Sequence, residues 1–123
     1  MERDELTGIV IGCAIEVHRE LGPGLLESSY EKCLKYELEQ KNIQALYQVL
    51  RPVIYKGIEI DAGYRMDILI PDKLVIELKA VDKLLPIHTA QLLTYLKLSG
   101  ISKGLLINFN VNKLTDGLKR IVN

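Results

Sequence analysis

At 123 residues and 48% hydrophobic content, the chain is sized for one compact domain, residues 1–123, able to bury roughly two thirds of its unfolded surface. Lys plus Arg and Asp plus Glu both number 16; this excludes the overall positive field that draws a protein onto nucleic acid or an acidic membrane, so any such contact must be local. The charged start Met1-Glu2-Arg3-Asp4-Glu5, the lack of any apolar run near the roughly 18 residues of a membrane span, and two cysteines (Cys13, Cys33) without metal-ligand spacing point to a cytoplasmic protein with no membrane contact and reduced core thiols.

From Leu6 to Leu21, Ile9, Cys13, Val17 and Leu21 recur at near-helical spacing, with Glu16, His18 and Glu20 mostly elsewhere on the wheel. Gly22-Pro23-Gly24 ends that helix, because glycine accepts positive φ at a C-cap and proline cannot continue it. A second helix runs to about Lys41 with Tyr30, Leu34 and Leu38 on one stripe. Ser28 and Glu31 have capping-box spacing, which would leave Glu27 just outside the first turn. Beyond Asn42 the period changes, and Tyr47 to Leu50, Val53 to Tyr55, Gly63 to Ile70 and Leu74 to Ala80 read as strands, with Pro52 marking an edge strand or a bulge. A third helix is expected from Pro86 to about Ser99, then a buried strand from Lys103 to Phe109 and a short last helix from Leu114 to Val122. The order predicts an α/β fold: a mixed central sheet made of an antiparallel three-strand meander plus a parallel-connected strand, flanked by helices.

The stretch "MDILIPDKLVIELK", Met66 to Lys79, places charges inside apolar strands. Alternation puts Glu77 and Lys79 on one face while Ile76 and Leu78 take the other. A two-residue turn at Pro71-Asp72 would set Asp67 opposite Ile76; a three-residue loop, Pro71 to Lys73, sets Asp67 across from Glu77. Two opposed carboxylates repel unless a cation lies between them, and Mg²⁺ takes oxygen ligands, often one or two carboxylates plus substrate phosphate. Phosphodiester hydrolysis is the chemistry such a site would serve, with a nearby lysine orienting water or stabilising charge. A lone Glu-x-Lys is far more often a solvated pair on an open face. On the third helix His88, Gln91 and Tyr95 fall within about 60° of one another among leucines, as a surface stripe, satisfied core groups or a functional face. Glu27 and Glu31 flank Tyr30 where the helix dipole favours acids whether or not they bind anything.

Gly24-Leu25-Leu26-Glu27-Ser28-Ser29-Tyr30 matches the motif that names the GxxExxY family, and its usual surroundings also stand in order, from "EVHRELGPG" before it through "IELKA" and "HTAQLLTYLKLSG" to "GLLINFN", so the resemblance covers about Leu6 to Val122. That family in turn resembles the PD-(D/E)xK nucleases, with their restriction-endonuclease-like core. The resemblance implies that Asp67 is the motif aspartate, Glu77 the second acid and Lys79 the motif lysine. Glu27 would be an additional helix acid; Gln91 and Tyr95 look like the Gln-xxx-Tyr element of helicase-associated exonucleases, with His88 a weaker correspondence. Met66 departs from the proline of the superfamily name.

By that resemblance Glu27, Asp67, Glu77 and the Leu78 carbonyl would hold Mg²⁺, or Mn²⁺ in its place. Lys79 would position the attacking water, and Gln91 with Tyr95 would orient the site or the substrate strand. The implied activity is metal-dependent hydrolysis of nucleic acid, expected to be DNA. The competing class is a non-cleaving nucleic-acid-binding or assembly module on the same fold; a third is a structural protein in which the polar set is an internal network. The neutral charge leaves little surface for gripping a duplex, which points to a homodimer or a larger protein partner supplying the rest.

Overall fold

The computed structural model describes residues 3–123; the Met1 and Glu2 of the charged start lie outside them. Helix α1 (Arg3–Leu21) buries Leu6, Val10, Cys13, Ala14 and Val17, one stripe of a 3.6-residue period, while Leu21 at its end stays 41% exposed. Helix α2 (Glu27–Gln40) buries Tyr30, Leu34 and Leu38, as the stripe predicts. Both helices pack on one face of a sheet through Ile68, Ile70, Leu74, Ile76, Leu78, Leu105 and Ile107. Helix α3 (Pro86–Ser99) covers the other face, pressing Leu92 and Leu96 onto Val49, Met66, Leu69, Val75 and Leu106. It stops at Gly100, whose φ of 75° is the left-handed C-cap that glycine reaches without strain.

Among the described residues the sheet has five strands in the order β1 (Leu46–Tyr55), β2 (Ile58–Ile70), β3 (Leu74–Lys79), β4 (Lys103–Asn108) and β5 (Leu118–Val122). Strands β1 to β3 form the antiparallel meander and β3 pairs parallel with β4 across α3. This is the restriction-endonuclease-like arrangement of an α/β fold. Ile70 pairs with Leu74, so the β2–β3 connection is the three-residue loop Pro71 to Lys73.

Several expectations are corrected. No helix spans Leu114 to Val122: a 3-10 turn (Leu114–Gly117) leads into β5, antiparallel to β4. The buried β4 needs hydrogen-bonding partners on both edges, and that demand outweighs the helical spacing of Leu118, Ile121 and Val122. Ser28 and Glu31 form no capping box; the helix begins at Glu27, with Leu26 as N-cap and no side-chain cap bond. The two short strands around Pro52 are one strand, β1, at the sheet edge, with a register shift between Arg51 and Val53 that accommodates the proline. Strand β2 begins at Ile58 rather than Gly63, and a Cβ at Gly63 would stand 2.0 Å from the Arg51 carbonyl oxygen, so the ribbon closes only over a glycine there.

Candidate active site

Beyond the Ile68–Ile76 pair the β2–β3 ladder gives way to side chains. The Asp67 N–H donates to Glu77 Oε2 at 2.8 Å, and the Leu78 N–H donates to Asp67 Oδ2 at 2.9 Å. Each carboxylate therefore occupies a ladder position and is held by backbone. The Leu78 carbonyl leaves β3 on the same edge as its N–H, toward Asp67. Lys79 continues the Glu77 face, and its own carbonyl is tied to the Phe109 N–H at 2.9 Å.

The surroundings set the charge of this pair. Glu77 is 4% exposed, and its carboxyl is pushed up to about 8, first by burial and then by the Asp67 charge; the hydrogen bond from the Asp67 N–H, and after it Lys79 and Arg65, only partly offset this. The Tyr95 hydroxyl is raised by burial and then by Glu77 and Asp67.

One open cavity of about 480 Å³ is lined by Glu27, Asp67, Glu77, Lys79, Gln91 and Tyr95 together with Leu50, Asp61, Gly63, Tyr64 and Arg65. Four elements, α2, β2, β3 and α3, deliver six of the seven predicted residues to it; Leu78 is not part of its lining. Tyr95 stacks on Tyr64, ring centroids 5.0 Å apart. His88 serves elsewhere, its Nδ1 accepting the Leu85 N–H at 3.0 Å to cap α3. Glu27 is placed by its turn: the Tyr30 hydroxyl donates to the Gly22 carbonyl at 2.6 Å and accepts the Leu25 N–H at 3.1 Å, while its ring stacks on Phe109 at 4.4 Å. His18 reaches the Val111 carbonyl with Nε2 at 2.7 Å and serves packing.

Three residues of this neighbourhood escape the sequence reading. Arg65 lines the cavity two positions before Asp67, a spacing that period-2 alternation could have flagged. Asn108 holds the chain leaving β3: its Oδ1 accepts the Val81 N–H at 3.1 Å and its Nδ2 donates to the Val81 carbonyl at 2.9 Å. Gln48 donates through Nε2 to Glu31 Oε1 and, at 3.4 Å, to Asp67 Oδ1, from a backbone with φ of 52°. No sequence signal announces a left-handed glutamine in a strand.

Among the described residues no group of three or more His, Cys, Asp or Glu side chains is assembled as an ion cage. Glu27 shares the cavity with Asp67 and Glu77 without completing such a group. The pair nevertheless suits a hard divalent cation: two all-oxygen donors, one buried and raised by the other's charge, match an ion that keeps several waters and needs only one or two carboxylates.

The architecture and the β2–β3 carboxylate pair define a restriction-endonuclease-like protein, and a family model for the PD-(D/E)XK nuclease superfamily matches residues 4–121. The chain belongs to the PD-(D/E)XK nuclease superfamily. It is similar to the protein in the crystal structure of SSO0001, with a TM-score of 0.59 and 29% sequence identity over 79% of this chain and 50% of that one. The chain thus spans about half the length of that relative. No protein of curated function matches it. Among the described residues no helix is long and apolar enough to cross a membrane.

Proposed function

We propose that the chain carries a divalent-metal-dependent site for phosphodiester hydrolysis of nucleic acid, with DNA as the expected substrate. The observation that carries this reading is a pair of backbone-to-carboxylate hydrogen bonds, Asp67 N–H to Glu77 and Leu78 N–H to Asp67, beside Lys79 in a cavity also lined by Gln91 and Tyr95. Asp67 and Glu77 would hold Mg²⁺ or Mn²⁺, with the Leu78 carbonyl and Glu27 as further oxygen donors. When bound, the ion would supply Lewis-acid stabilisation of the phosphoryl oxygens and acidify a coordinated water. Lys79 orients the attacking water with its ammonium donors and meets negative charge as it develops. Tyr95 and Gln91 offer a hydroxyl and an amide to the scissile strand, and Arg65 adds the guanidinium best suited to a phosphate. The likeness to the GxxExxY motif supports Glu27 as a further donor, and Tyr30, whose hydroxyl clamps the turn before it, would anchor it.

The zero net charge favours a second reading, in which the domain binds or assembles without cleaving, or cleaves only with the grip of a second copy or a larger protein. The deciding experiment incubates labelled single- and double-stranded DNA and RNA with the protein and Mg²⁺ or Mn²⁺, with Glu77→Ala prepared in parallel. Cleavage by the wild type alone is the expected result. Equal cleavage by both would expose a contaminant, and binding without cleavage would select the second reading.

A further inference from the structure

Tyr47 and Val49 are two apart in β1, so alternation would put them on one face of the sheet; Tyr47 packs against the α1–α2 core and Val49 lies in the α3 core. Met66 and Ile68 in β2 are divided the same way. The sheet exchanges its faces at the level of Gln48 and Asp67, and Gln48 makes the turn with φ of 52°. A backbone need alone would favour glycine, asparagine or aspartate at that φ. Glutamine holds this conformation against its own preference, and strain of this kind gathers where side-chain direction matters.

The side chain supplies that reason. One amide nitrogen carries two hydrogens and meets two acids, Glu31 and Asp67. The donor is also neutral. A lysine or arginine in its place would hold Asp67 but cancel the charge that attracts a cation, whereas an amide steers the carboxylate and leaves its charge free.

Resting on the metal-site reading above, we propose that Gln48 is a positioning residue for Asp67, its left-handed backbone and its amide bridge to Glu31 fixing the orientation in which Asp67 receives a divalent cation. Hydrogen-bonded partners of ligating carboxylates typically govern metal affinity by about 10- to 100-fold. Gln48→Gly frees the backbone and deletes the amide, and Gln48→Asn keeps a residue that tolerates positive φ but shortens its reach. The test measures Mn²⁺ binding to the free protein by electron paramagnetic resonance, alongside melting temperature in chelator, for wild type, both variants and Asp67→Asn. The expected result is that both Gln48 variants melt close to wild type, bind Mn²⁺ at least about tenfold more weakly, and that Asp67→Asn binds none. Wild-type affinity in both Gln48 variants would overturn the inference and leave the metal site standing. Affinity that falls only in step with melting temperature would reduce Gln48 to a structural role and equally overturn it. A wild type that binds no Mn²⁺, or an Asp67→Asn that binds as well as wild type, would overturn the metal-site reading and the inference with it.

Discussion

Glu77 is the residue on which the site's electrostatics turn. Its carboxyl sits at about 8 in the folded chain, against 4.5 ordinarily, because burial and then Asp67 disfavour its charge. The sign is the reverse of a salt-bridged acid: between those two values the unfolded chain sheds its proton while the folded chain keeps it. The stabilising difference is therefore full below about pH 4.5 and lost as pH rises through 8. Chemical denaturation in chelator should show wild type losing on the order of a few kcal/mol between pH 5 and 9, and Glu77→Gln losing markedly less. Saturating Mg²⁺ should flatten the wild-type slope. Identical slopes in wild type and Glu77→Gln would show that Glu77 titrates normally. Alternation narrowed Asp67 and Glu77 to two registers, and the three-residue loop, which the sequence left open beside a two-residue turn, selects the one that brings them together. Gln48 and Asn108 were out of reach, because a polar side chain's partner across 19 or 27 residues depends on register and backbone strain that composition does not encode.

At the scale of elements, the α1–α2 turn shows how a core residue serves a site. Tyr30 is fully buried, but its hydroxyl clamps Gly22 and Leu25, and so the chain that hands Glu27 to the cavity. Tyr30→Phe keeps the stack on Phe109 and leaves those backbone groups without the hydroxyl; it should cost about 1–2 kcal/mol in urea denaturation. A loss near zero would mean that water replaces the hydroxyl freely. Long periodic elements were readable: the bounds of α3 follow from Pro86 and Gly100, and the α2 stripe from Tyr30, Leu34 and Leu38. The segment from Leu114 to Val122 was not, because nine residues with apolar groups at both helical and strand-compatible positions are decided by the unpaired edge of β4. Gly117 marks the junction, since a Cβ there would stand 2.2 Å from the Asn108 carbonyl oxygen.

For the whole molecule, neutrality means that the nucleic-acid affinity proposed above would depend on a few local cations around the cavity. Arg65→Ala should weaken DNA binding and reduce the slope of log affinity against log salt by about one counterion. An unchanged slope would remove Arg65 from the phosphate path. In the proposed site Asp67 and Glu77 hold the ion while Lys79 serves the chemistry, and a paired titration separates these roles. Single-turnover cleavage of labelled DNA is followed across a Mn²⁺ titration for wild type and Lys79→Met, with Mn²⁺ binding measured on the same samples. Wild type should cleave only in the presence of the ion. Lys79→Met should bind Mn²⁺ while cleaving about 10²–10³ times more slowly, as expected when a group stabilising transition-state charge is lost. Equal cleavage by wild type and Lys79→Met, or wild-type cleavage that persists in chelator, would contradict these roles.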